Sequence, residues 1–206
     1  MNMAPLTNSV LEAAGRVQAH YHQVMLDTGH ASEHEATPDA VEPAPLAARK
    51  PTALAFAEFE ADLHDFGLRE SLARLLKVTD YRFIGIFRFE GGQANAALHY
   101  DRENPGQLST QEVPETATYC CHVRNLRGAF ATADAMRDER LAAHPARHVV
   151  AAYCGVPVMD ADGLLLGTLC HYDFVPRDPE QVDLELMVQV ASALAYRRLV
   201  PPYPQL

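Results

Sequence analysis

Apolar positions recur with a helical period in some stretches of the chain and alternate with a period of two in others. Val10, Ala14, Val17, Tyr21 and Val24 step by four and three residues, one stripe of a helix over 8–27 with Ser9 as its N-cap. About two heptads are too few for a stable isolated coiled coil, so this helix must pack on its own domain or on a second copy. Residues 28–51 lose the pattern and are rich in Ala, Glu, Pro and His, which reads as a linker, with His30 and His34 in solvated sequence. The helical period returns at Thr52: Phe56, Phe59, Leu63 and Phe66 share a face, Gly67 interrupts, and Leu72, Leu75 and Leu76 continue over Leu68 to Lys77.

The period then changes. Phe83, Gly85, Phe87 and Phe89 alternate with Ile84, Ile86 and Arg88, which predicts a strand. Gly91-Gly92 turns the chain into a weaker strand over Gln93 to Tyr100, and a polar loop over 101–114 follows. Glu115 to Leu126 reads as one short helix, Ala129 to Ala133 as a short strand, and Asp134 to His144 as loop and helical turn. Ala151 to Met159 and Leu164 to Tyr172 flank Asp160-Ala161-Asp162-Gly163, a tight hairpin in which Gly163 takes positive φ and Asp side chains bond local backbone. Asp178 as N-cap, Pro179 at the first helical position and Arg197-Arg198 in the last turn frame a final long helix, stopped by Pro201-Pro202. Its apolar residues form two stripes, Leu184, Met187, Val188, Ala191 and Ala195 beside Leu186, Val190 and Ala193, so it covers a sheet and has a face left for a partner.

Composition narrows the function classes. The 206 residues, 48% of them hydrophobic, suffice for one good-sized domain and an extension. A net charge of −10 and no basic cluster argue against a nucleic-acid footprint. No apolar run approaches the ~20 residues that span a bilayer, and the start lacks a signal-peptide pattern. The expectation is therefore a cytoplasmic protein with no membrane and no nucleic-acid partner. In that compartment Cys120, Cys121, Cys154 and Cys170 are free thiols.

The order of elements, together with Asp134-Ala135 after a short strand, Tyr153-x-Gly155-Val156-Pro157-Val158, the Asp-Gly turn, Gly167-Thr168-Leu169-Cys170, Asp173 and the apolar helix beyond, resembles the GAF domain family. The resemblance runs from about Phe56 to Arg198. It implies an α+β fold, an antiparallel five- or six-stranded sheet flanked by helices, with residues 52–200 as the GAF domain, 1–51 as N-terminal helix and linker, and 201–206 as tail. It further implies a small ligand held between the sheet and the loops joining its middle strands, and a homodimer through the terminal helices. Two specialised subsets are excluded: the bilin photosensors, whose attaching Cys and Asp-Ile-Pro are missing, and the cyclic-nucleotide binders, whose Asn-Lys-x-Phe-Asp-Glu is absent.

Within this frame the candidate ligand-binding residues are Tyr119, Cys121, His122, Asp134, Arg137, Arg140, His144, Arg147, His148, Tyr153 and Cys170. The Arg and His residues between 137 and 148 suit an anion such as a carboxylate or nitrate, against the plainer reading of a solvated turn. Cys121-His122 and Cys170-His171 are not Cys/His dyads by adjacency, because neighbouring side chains diverge in helix and strand alike. Cys120, Cys121, His122, Cys154, Cys170 and His171 are numerous enough for zinc, but no C-x₂-C spacing marks a site, and no metal is expected. Register bears on the hairpin thiols: pairing of residues summing to 324 makes Cys154 face Cys170, and 323 puts them on opposite faces. The expected function is a sensory, ligand-binding domain without an output module, acting through dimerisation or a partner in trans, its cofactor and ligand unidentified. The alternative is a thiol-dependent enzyme of the free methionine-(R)-sulfoxide reductase type, with Cys121, Cys154 and Cys170 as the catalytic thiols.

Overall fold

The computed structural model describes residues 50–107 and 112–200. The helix expected over 8–27, its linker up to residue 49 and the tail after 200 lie outside the described residues. Helix α1 (Thr52–Phe66) turns at Gly67, where φ is +79°, into α2 (Leu68–Lys77). Strands β1 (Phe83–Glu90) and β2 (Gln93–Asp101) form a hairpin over Gly91-Gly92, both glycines at positive φ. The segment expected as loop ends in a two-residue edge strand, β3 (Val113–Pro114), paired with Gln93 and Ala94. Helix α3 (Cys120–Leu126), strand β4 (Phe130–Thr132), the hairpin β5 (Ala152–Met159) and β6 (Leu165–Asp173), and helix α4 (Leu184–Tyr196) complete the order. The sheet has six strands in the order β3-β2-β1-β6-β5-β4, each neighbouring pair antiparallel.

Alternation along the central strands sends side chains to two separate cores. Ile84, Ile86, Val156, Val158 and Leu169 point to one face, where Leu72, Leu76, Leu186, Val190 and Leu194 of α2 and α4 cover them. Phe83, Phe87, Tyr153, Cys170 and Tyr172 point to the other, beneath Tyr119, Cys120 and Val123 of the α3 segment and Leu141, Ala146 and Val150 of the following loop. None of the described helices is long and apolar enough to cross a membrane.

Three sequence expectations change. The helix over Glu115 to Leu126 is split: Glu115–Ala117 is a 3₁₀ turn, and Thr118 is extended with its hydroxyl donating to the Glu115 carbonyl, so α3 starts two residues later. Asp178 and Pro179 open a separate 3₁₀ turn rather than the last helix; buried Val182 follows, and Asp183 caps α4 by accepting from the Leu186 amide at 3.0 Å. The buried face of α4 is one broad band, Leu186, Met187, Val190, Ala191, Leu194 and Ala195, with Leu184 and Val188 exposed.

A buried ion pair closes one end of the sheet. The Arg82 guanidinium donates to both Asp101 carboxylate oxygens at 2.9 and 2.8 Å, and its amide donates to Asp173 at 2.9 Å, tying β2 and β6 to the residue that enters β1. Burial pushes the Asp101 carboxyl up, but the hydrogen bonds it accepts from the Arg82 guanidinium, Asn104 and the Glu103 amide outweigh that and hold it below its ordinary range.

Candidate functional site

The β5–β6 register decides which thiols can meet. The turn forms as expected, with Asp160 accepting from the Asp162 and Leu164 amides and Gly163 at φ +78°. The strands pair with residues summing to neither 324 nor 323: Cys154 opposes His171 and Gly155 opposes Cys170. Cys154 therefore faces the helix-side core and Cys170 the opposite one. Burial pushes the Cys154 thiol up to about 12. Cys121, Cys154 and Cys170, the thiols of the alternative enzyme reading, are thus divided between the two faces of the sheet.

On the loop side, Tyr153 lies across Gly155, where an added Cβ would come within 2.8 Å of the Tyr153 ring and 2.9 Å of Cys170 Cβ. Only glycine leaves that room, which gives the Tyr-x-Gly spacing its physical reason. The Tyr153 hydroxyl donates to Cys120 Sγ at 3.3 Å, and the Cys120 and Cys170 thiols contact each other in the same buried cluster. Burial, and then the neighbouring Cys120 thiol, pushes Cys170 well up.

The first turn of α3 and the loop after β4 build the more exposed part of the site. Tyr119 is held by its hydroxyl, which donates to the Val150 carbonyl at 3.0 Å, and its ring lies 4.7 Å from that of His144. Cys121 Sγ is 3.7 Å from His144 Nε2. His122 stacks on Phe130 at 4.5 Å and lies 5.3 Å from the His144 ring. One ligand atom from each of Cys121, His122 and His144 lies within 4.8 Å of the other two. His144 also caps the 3₁₀ turn Pro145–His148, its Nδ1 accepting from the Ala146 amide at 3.2 Å. An accepting Nδ1 in a neutral ring places the proton on Nε2, beside the thiol and the Thr118 carbonyl.

The electrostatics keep these groups neutral. Burial lowers His144 to about 4, with His122 adding to the shift, and burial and Arg140 lower His122. Cys121 is pushed up to about 11 by burial and by its neighbour Cys120. A histidine that is neutral near pH 7 beside a thiol that stays protonated there is not a thiolate–imidazolium pair.

The remaining predicted site residues serve the loop itself. Asp134 accepts from the Met136 amide at 2.9 Å and pairs with Arg137 at 3.4 Å, whose side chain is 89% exposed. Arg140 donates to the Ala131 carbonyl and to Asp138, which it holds down at about 2, and lies over the Phe130 ring at 4.6 Å. Arg147 donates to the Ala135 carbonyl at 3.0 Å and to that of Met136, and His148 is exposed. The three guanidiniums thus engage acceptors of their own loop. Sequence reasoning missed the meeting of His144 with Cys121-His122; both sets stood among the candidates, but nothing in their spacing joined them across 22 residues.

The GAF domain family profile matches residues 67–197 of the chain. A cyclic di-GMP phosphodiesterase of Pseudomonas aeruginosa is 33% identical over 75 residues, 35% of this chain and 13% of that protein. Among solved structures, the free methionine-R-sulfoxide reductase of Neisseria meningitidis, determined with its substrate, superposes with a TM-score of 0.56 at 16% identity, over 75% of this chain and 93% of that one. The GAF domain of an Acinetobacter phosphoenolpyruvate-protein phosphotransferase superposes with a TM-score of 0.53 at 17% identity, over 74% and 95%. The chromophore-binding domain of a Stigmatella aurantiaca bacteriophytochrome gives 0.53 at 14%, over 79% and 67%. At these identities the structural likenesses speak to the fold alone.

Proposed function

Because this chain belongs to the GAF domain family, a family of sensory and ligand-binding domains, we propose that it binds a small ligand where α3 meets the loop over 134–150 and passes occupancy to a partner in trans or a second copy. The observation that carries this reading is the convergence of Tyr119, Cys121, His122 and His144, drawn from two separate segments, on one partly exposed spot over the sheet. Polar groups converging among aromatic rings are what orient a small ligand in a largely apolar site. The GAF unit on this reading is 52–200, it resides in the cytoplasm, and the preceding residues are an extension.

Exposed Leu54 of α1 with Leu184 and Val188 of α4 supports a homodimer through these helices. A monomer mass at micromolar concentration, unchanged by Val188→Glu, would refute that part. Native mass spectrometry of the full chain tests the ligand: the expected result is a bound mass that a Tyr119→Ala, His144→Ala double variant no longer carries. A bound mass equally retained by that variant places binding elsewhere and overturns the assignment. The thiol-enzyme alternative gains no support from the thiols, since Cys154 lies across the sheet from Cys170 and Cys121 stays protonated.

A further inference from the structure

We propose that Cys121, His122 and His144 bind one thiophilic divalent transition-metal ion of the zinc class, at the first turn of α3. The inference rests on the same site as the ligand-binding reading and names a ligand class for it; it departs from the expectation, drawn from cysteine spacing, that the chain holds no metal.

Geometry is the first support. Cys121 Sγ and His144 Nε2 are 3.7 Å apart. Two ligands of a tetrahedral zinc ion, with Zn–S of about 2.3 Å and Zn–N of about 2.0–2.1 Å, sit roughly 3.5 Å from each other. His122 supplies the third donor within 4.8 Å of both. The second support is independent: His122 Nε2 is buried and has no hydrogen-bond partner. An unpaired buried polar atom costs about 1–3 kcal/mol, and ligation through this nitrogen would satisfy it. Stacking on Phe130 fixes the plane of that ring. One sulfur and two imidazole nitrogens select zinc, cobalt or copper over magnesium or calcium, and three protein ligands leave a fourth position for water or an organic donor.

Binding has a mechanical consequence. The Cys121 thiol gives its proton to solvent as the sulfur–metal bond forms. The proton on His144 Nε2 must leave the metal side and pass to Nδ1, where it opposes the Ala146 N–H that Nδ1 now accepts. The cap of Pro145–His148 is then lost, and that turn carries Arg147, whose bonds to the Ala135 and Met136 carbonyls pin the rest of the loop. Occupancy is thereby coupled to the loop's conformation.

The test uses the full chain, stripped with chelator under reductant and titrated with Co²⁺. A thiolate-to-cobalt charge-transfer band and the visible bands of a four-coordinate ion are expected, saturating at one ion per chain and removed by Zn²⁺. Cys121→Ser should lose the charge-transfer band, and His122→Gln and His144→Gln should each weaken binding by at least the roughly 10–100-fold that loss of an outer-shell partner costs. Cys154→Ser, across the sheet, should keep the band. No charge-transfer band, or one that survives Cys121→Ser, overturns the proposal. Should Cys121→Ser not fold, amide NMR of the wild-type chain decides: Zn²⁺ shifts centred on 119–123 and 144–148 support the site, and shifts centred elsewhere sink it. An organic mass retained in native spectra without any Co²⁺ binding would refute the metal and leave the broader reading standing; loss of both would refute both.

Discussion

The two faces of the sheet are made by the same strands and differ in kind. The helix side is largely aliphatic: Ile84, Ile86, Val156, Val158 and Leu169 against Leu72, Leu76, Leu186, Val190 and Leu194. The loop side is aromatic and polar: Phe83, Phe87, Phe130, Tyr119, Tyr153 and Tyr172, with Cys120 and Cys170 among them. Continuous helices can lay down a close-packed aliphatic layer, whereas short turns and a seven-residue helix cannot, and their gaps are filled by large flat rings with polar edges. Both faces are buried cores, but the loop side also presents a cluster of polar groups at a partly exposed edge.

The sharpest break in that division comes where the faces share an anchor. Arg82→Ala leaves Asp101 charged, nine-tenths or more buried and without its bidentate partner. Removing one member of a buried pair costs about 3–5 kcal/mol, so urea denaturation should show the largest destabilisation of the variants considered. A loss below about 1 kcal/mol, the range of an exposed pair, would mean the anchor is open to water. Next in size is Leu169→Ala, a fully buried side chain in the middle of the helix side. It should cost about 2–5 kcal/mol while leaving Co²⁺ binding by the folded fraction unchanged, since the proposed site lies on the opposite face.

Much of this division was legible in the sequence. Alternation in Phe83 to Phe89 assigned those side chains to opposite faces, and the Tyr-x-Gly-Val-Pro and Gly-Thr-Leu-Cys arms gave the hairpin, its turn and the family. Register was not legible, because pairing sums of 323, 324 and 325 satisfy the same apolar pattern on strands buried on both faces. The start of the last helix was misplaced because Asp178-Pro179 and Asp183 are both competent caps, and only burial of Val182 decides between them. The cluster of Cys121, His122 and His144 escaped because His144 reaches α3 through the path of a loop without periodicity.

A smaller effect comes from a polar intrusion into the helix side. His171 is buried opposite Cys154, edge-on to Tyr81 at 5.8 Å, with Arg102 the nearby charge. Neither ring nitrogen has a partner, and the Tyr81 hydroxyl also lacks one. Burial, helped by Arg102, lowers His171 to about 3 from the ordinary 6.5. The unfolded chain then binds this proton first, so stability present above pH 6.5 is lost as pH falls toward 3. His171→Leu should flatten the fall in unfolding free energy over that window; parallel curves for variant and wild type would show that His171 is not buried neutral. Asp138, held down at about 2 by Arg140, gives a separate loss only at the acid end.

The smallest change tests whether the loop-side polar groups act as one network or as two. Tyr153→Phe keeps the ring over Gly155 and removes the hydroxyl that donates to Cys120 Sγ at 3.3 Å. Loss of one such bond should cost about 0.5–1.5 kcal/mol. Cys120 precedes Cys121 on α3, but its side chain is buried with Tyr153 and Cys170, while Cys121 meets His144. If the two clusters are independent, the variant loses stability and keeps its Co²⁺ affinity. If the Tyr153–Cys120 bond sets the rotation of the first turn of α3, affinity falls together with stability. Neighbours in one network couple by about 0.5–3 kcal/mol, whereas distant sites add. A Tyr153→Phe, His144→Gln cycle separates these cases, and additivity within about 0.5 kcal/mol would confine the proposed site to the Cys121, His122 and His144 cluster.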